Sequence, residues 1–120
     1  MTTTRHALHR ILRLLGFGVV AVVVSACHRE RTPVERGASA FQRACAGCHG
    51  VDGRGTRPPG FKTPPRNLTD PELQSRLTDA MLKETIRYGK GQMPNFGAAL
   101  PERDVDDIVA YIRTLRTAPR

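Results

Sequence analysis

The chain has 120 residues, with 19 Lys and Arg against 11 Asp and Glu, a formal net charge of +8, three Cys, four Phe, two Tyr and no Trp. That length holds one small domain and excludes a large multidomain enzyme. Apolar residues crowd the stretch from Leu14 to Ala26, 10 of 13, but make up only 32 of the 94 residues from Cys27 onward. The remainder is short of core and needs a staple or a bulky apolar cofactor to fold.

In chain order, Arg5, Arg10 and Arg13, with His6 and His9 and no acid, precede an uncharged run from Leu14 to Val24 and the small pair Ser25-Ala26. This is the basic region, apolar region and cleavage site of an export signal over residues 1–26. The run is shorter than the ~20 residues a membrane-crossing helix needs, and charge resumes at Arg29. Val24-Ser25-Ala26-Cys27 resembles the lipobox of bacterial lipoproteins, which implies that Cys27 becomes the first mature residue and carries lipid. Two or more acyl chains anchor a small protein stably, whereas one is marginal. An ordinary signal peptide with an incidental Cys, or an uncleaved short anchor, are the alternatives. Cleavage removes three arginines and leaves the exported part basic.

Residues 27–37 mix both charges with Pro33 and hold one large apolar residue, Val34, so they read as a flexible tether, with the folded domain over residues 38–120. From Ser39 to Ala46, Phe41, Ala44 and Cys45 share one face at i, i+3, i+4 and predict a short first helix. Four Gly and five Pro between Gly50 and Pro71 forbid regular structure and predict a long wrapped loop, which is unusual in a compact domain unless it carries function.

Thr78 and Asp79 can start a second helix over residues 79–88, with Met81, Leu82, Thr85 and Ile86 as its inner stripe and Gly89 as its stop. Residues 101–114 repeat the pattern more strongly. There Val105, Ile108, Val109, Ile112 and Leu115 are helically spaced, with Asp104, Asp106 and Asp107 near the amino end and Arg113 and Arg116 near the carboxyl end. No stretch alternates long enough for a sheet, so the fold class is all-α.

Cys45-Ala46-Gly47-Cys48-His49 carries the sharpest chemistry. C-x-x-C-H is the attachment signature of c-type haem: two thiols three apart lie on one helix face, each can add across a porphyrin vinyl group, and the adjacent imidazole is offered to iron. Gly47 leaves the backbone room beside a ring. Competing readings are a thioredoxin-like pair, which wants a βαβ setting; structural zinc, which wants four ligands where only Cys27 and His28 remain to complete the set; and a disulfide closing a very small loop. Export agrees with haem attachment on the oxidising side of a membrane.

Cys45 to Gly50, followed after 43 residues by Met93-Pro94 and then by a terminal amphipathic helix ending in Tyr111-Ile112-Arg113-Thr114-Leu115, resembles the class I monohaem cytochromes c over roughly residues 38–116. The resemblance implies a small cytochrome c fold of three to four helices around one covalently attached haem c, its first and last helices crossing.

Iron held by His49 has a sixth position, for which Met81, Met93 and His28 compete. Met81 sits mid-helix, where Met is usually core filler. Met93 lies in a glycine-rich loop able to approach a ring, and Pro94 biases it to an extended backbone; the family's ligand Met commonly precedes a Pro. A His/Met pair raises the potential and favours outer-sphere electron transfer over ligand chemistry. The family resemblance further implies that a Pro carbonyl orients His49, with Pro58 the best match and Pro59 the alternative. It also suggests that Arg66 pairs with a haem propionate, or else is simply exposed, and that Leu68 lines the pocket. Phe41 and Tyr111 are expected to meet where the end helices cross, and Phe61 and Phe96 to cover the ring.

These readings converge on a membrane-tethered periplasmic electron carrier, not an enzyme by itself, whose partners are other redox proteins and the lipid bilayer. Dispersed charge and export argue against nucleic acid. The basic balance suits anionic headgroups, solubility or steering towards an acidic redox partner. Two other functions remain open from sequence: the electron-accepting subunit of a larger dehydrogenase or oxidase, and a haem peroxidase or gas sensor with a labile Met93.

Overall fold

The computed structural model describes residues 29–56 and 58–116; the expected export signal, Cys27 and His28 lie outside them. Among the described residues the protein is helical: α1 Pro33–Ala44, α2 Ala46–His49, α3 Pro71–Arg76, α4 Asp79–Tyr88 and α5 Glu102–Thr114, in that order. The only β-type pairing among these residues is an isolated bridge between Lys90 and Met93. No helix of the described part is long and apolar enough to cross a membrane.

The first helix begins earlier than its apolar spacing suggests. Thr32 caps it: its hydroxyl accepts from the Glu35 N–H at 3.2 Å, and the Glu35 carboxylate accepts from the Thr32 N–H at 2.7 Å. This capping box, with Pro33 in the first turn, satisfies backbone donors that would otherwise need water. The expected tether therefore ends near Arg31, and residues 33–37 are helical. Tertiary contacts hold them there. Arg36 grips Asp107 through Nε–Oδ2 at 2.6 Å and Nη2–Oδ1 at 2.9 Å, with Asp107 4% exposed.

α1 packs on α5 far more extensively than any other pair of helices meets. Phe41 and Ile108 are both 0% exposed, and Val105, Val109 and Ile112 are buried beside them, as their helical spacing requires. Phe41 meets Tyr111 with ring centroids 5.2 Å apart and planes inclined at 58°, a tilted aromatic pair. The close approach depends on Gly37: a Cβ built there would overlap the backbone carbonyl of Asp107.

α3 is an element that sequence spacing did not predict, because it is only six residues long and has no apolar stripe. Asp70 starts it, accepting from the Glu72 N–H at 2.9 Å and the Leu73 N–H at 3.4 Å, with Pro71 in the first turn. Buried Gln74 then donates Nε2 to the carbonyls of Leu68, at 2.6 Å, and Ile112, at 2.8 Å. Arg113 of α5 reaches the Gln74 carbonyl at 2.9 Å, the Leu77 carbonyl, and Asp79 at 2.8 Å. These bonds satisfy carbonyls at the end of α3 and tie the start of α4 to α5.

α4 has its predicted bounds. Thr78 caps it by accepting from the Met81 N–H at 3.2 Å, and Gly89 ends it at φ +75°. Its inner face is narrower than the predicted stripe. Leu82 and Ile86 are buried, but Met81 is 45% exposed and so is not core filler. Between Gly50 and Asp70 the described residues form neither helix nor strand, as the prolines and glycines require. That loop is tied down by bonds from Gly55 N–H to the His49 carbonyl at 2.7 Å, Thr56 N–H to Cys48 at 2.9 Å and Leu68 N–H to Gly53 at 2.7 Å.

Candidate functional site

α1 ends at Ala44, its cap residue Cys45 has φ −118°, and the single turn of α2 follows until Gly50 stops it at φ +77°. The bend and turn place Cys45, Cys48 and His49 together on one wall of a cavity of about 320 Å³. Both thiols are free. Burial pushes the Cys45 thiol up to about 11, and repulsion from Cys48 adds to the shift, so at neutral pH Cys45 is a thiol. A Cβ added to Gly47 would meet nothing within 4 Å, so space is open at that point of the turn.

His49 is oriented from behind. Its Nδ1 lies 3.2 Å from the Arg66 carbonyl; since a carbonyl only accepts, Nδ1 carries the proton and Nε2 keeps the lone pair that a metal takes. Burial lowers the His49 pKa, offset in part by the Arg66 carbonyl, which favours the neutral imidazole needed for ligation.

This corrects the expectation for Pro58. Its carbonyl accepts from the Phe61 N–H at 3.2 Å inside a turn of the long loop, and neither it nor Pro59 is the partner of His49. The acceptor is a backbone atom of Arg66, whose identity no side-chain pattern could reveal. Arg66 is among the residues lining the cavity, and its side chain forms no ion pair among the described residues. Leu68 also departs from expectation: it is 8% exposed within the core cluster that includes Phe41 and Ile112, not on the cavity wall. Gln74 and Gly53 bond to its backbone and draw it inward.

The same cavity is lined by Thr85 of α4, Met93 and Phe96, and by Phe61, Pro64 and Pro65 of the long loop. Reciprocal bonds between Lys90 and Met93, at 3.2 and 3.1 Å, close a tight turn in which Gly91 has φ +61°. The turn sits directly on the end of α4. A Cβ on Gly89 would lie 2.9 Å from the Pro94 carbonyl carbon, and the N–H groups of Phe96 and Gly97 bond to Ile86 and Arg87 at 3.0 and 3.1 Å. Met93 is thus presented to the cavity by a loop anchored on both sides.

The donor set fits haem c. Two free thiols three apart, a neutral imidazole with Nε2 available, a thioether lining the same cavity, and Phe and Pro in that lining match what that group needs. Zinc fits poorly, since among the described residues no three His, Cys, Asp or Glu side chains cluster to hold a metal ion. The family model described as cytochrome C oxidase, cbb3-type, subunit III, matches residues 32–112.

The chain belongs to that family of cytochrome c domains. Its cofactor is covalent haem c, and its coarse function is electron transfer. Over 80 residues this c-type cytochrome is 39% identical to the cbb3-type cytochrome c oxidase subunit CcoP of Cereibacter sphaeroides, matching 66% of the chain and 26% of the relative. It therefore spans about a quarter of that relative's length. It is 30% identical to cytochrome c6 of Bryopsis maxima, covering 66% of the chain and 88% of the relative. The KustC0563 c-type cytochrome shares the fold with a TM-score of 0.61 at 29% identity, over 68% of this chain and 98% of that one.

Proposed function

We propose that the protein is a membrane-tethered, single-haem electron carrier that passes one electron at a time between periplasmic redox proteins and is not itself an enzyme. The observation that carries this reading is that Cys45, Cys48, His49 and Met93 all line one cavity. Bound there, haem c supplies an iron centre that cycles between ferric and ferrous states. The chain would do the rest: Cys45 and Cys48 would hold the ring through two thioether links, His49 and Met93 would supply the protein's ligands to the iron, and Phe61 and Phe96 would limit access of water. Arg66, which also lines the cavity, would pair with a propionate. With His49 and Met93 both bound, small ligands would be disfavoured and outer-sphere transfer favoured.

The anchor is proposed on Cys27 from its lipobox-like setting. A haem-stained gel of membrane and soluble fractions, with a visible spectrum of the reduced protein, tests cofactor and anchoring together. Staining is expected in the membrane fraction, and Cys27→Ser is expected to move it to the soluble fraction. Unchanged membrane retention would argue against lipidation.

Among the described residues Arg66 and Lys90 line the cavity and no carboxylate does. This supports association with an acidic redox partner. The rate of reduction by such a partner is expected to fall about tenfold between low and physiological ionic strength, and a salt-independent rate would remove electrostatic steering. A second reading, a fixed electron-accepting subunit of an oxidase or dehydrogenase, draws support from the cbb3-type family match. Co-purification of a stoichiometric catalytic subunit would favour it over the free carrier.

A further inference from the structure

Two segments contribute to the cavity lining: the long loop with Phe61, Thr63 and Arg66, and the turn with Gln92 and Met93. Among the described residues no backbone–backbone bond joins residues 61–66 to residues 90–94. The bridge is one side chain. The Oε1 of Gln92 accepts from the Lys62 N–H at 3.1 Å, the Thr63 N–H at 3.4 Å and the Thr63 hydroxyl at 3.5 Å. Converging backbone N–H groups of successive residues form a small cradle for an acceptor oxygen, and Gln92 is the residue immediately before the prospective sixth ligand. The same loop supplies the Arg66 carbonyl to His49 at 3.2 Å. One loop is therefore bonded both to His49 and to the residue beside Met93.

We propose that Gln92 is a positioning residue whose amide oxygen latches the Met93 turn to Lys62 and Thr63 and so keeps Met93 on the iron. This rests on Met93 being the axial ligand. When the latch opens, the turn keeps its own Lys90–Met93 bonds but loses its hold on the long loop, so Met93 leaves more readily and an added ligand competes better. The acceptor oxygen is the essential feature. Glutamate offers a carboxylate oxygen to the same two N–H groups and strengthens the bonds by its charge. Leucine retains the bulk and offers no acceptor.

The test uses the haem-loaded protein and its Gln92→Leu and Gln92→Glu variants, with two readouts: the affinity of the ferric protein for added imidazole, and hydrogen exchange of the Lys62 and Thr63 amides. Gln92→Leu is expected to bind imidazole roughly three- to tenfold more tightly, the range for losing one or two modest hydrogen bonds, and to exchange both amides faster. Gln92→Glu is expected to hold both readouts near the parent values. Unchanged imidazole affinity in Gln92→Leu overturns the proposal, even with faster exchange, because the latch would then not bear on Met93. A Glu variant that behaves like the Leu variant overturns it as well. The near-infrared sulfur-to-iron band of the parent protein separates the two failures: without it the Met93 assignment falls, whereas with it present only the latch is rejected.

Discussion

Gly37→Ala is expected to lower the thermal midpoint of the haem-loaded protein by about 10 to 20 °C, corresponding to ~3 kcal/mol of overpacking in a domain of this size. The added methyl group would occupy the space taken by the Asp107 carbonyl and would press the Tyr111 Cβ at 3.0 Å. Neither neighbour can rotate away: one is helix backbone and the other a Cβ. α1 and α5 must therefore move apart along the interface that buries Phe41, Val105 and Ile108. The shift would also loosen the Arg36–Asp107 pair, leaving Asp107 as a buried charge without its partner, which is itself costly. A melting scan that moves by less than 2 °C would show that the helices do not approach at Gly37.

Met93→Ala should abolish the near-infrared sulfur-to-iron band and lower the reduction potential by on the order of 0.1 V, because a soft thioether favours ferrous iron and its usual replacements do not. The reduced variant should also bind carbon monoxide rapidly, since a position held by the protein becomes open. The turn should survive, as its closing bonds run through the backbone of Lys90 and Met93. A spectrum indistinguishable from that of the parent would mean that another residue takes the sixth position. Met81, on the exposed face of α4 and 45% exposed, is not placed for that role.

Much of the site was legible because its chemistry is local. C-x-x-C-H places two thiols and an imidazole within five residues, so any chain that folds there brings them together, and the glycine-rich segment before Pro94 announces a loop able to approach a ring. Asp79–Tyr88 and the final helix were legible for a similar reason, since caps and apolar spacing act within a few turns. The capping box at Thr32 and the Asp70-Pro71 start of α3 were equally local signals, but apolar periodicity does not register them. Weighted by capping alone, both helix starts are readable.

The rest depends on long-range contacts. Arg36 and Asp107 are 71 residues apart, and no pattern in either neighbourhood announces the pair. Gly37 reads in sequence as the end of a tether and in the fold as the contact point of two helices. Pro58 and Pro59 were reasonable partners for His49 by resemblance, but the bond goes to the Arg66 carbonyl, and every residue has a carbonyl. Leu68 is drawn into the core by bonds to its own backbone. The sequence by itself determined which groups carry the chemistry and which stretches are helical, because capping, periodicity and a five-residue motif are short-range. Only the tertiary structure decided which backbone atom orients His49 and which side chain joins the long loop to the Met93 turn, because those depend on where a proline- and glycine-rich loop comes to rest.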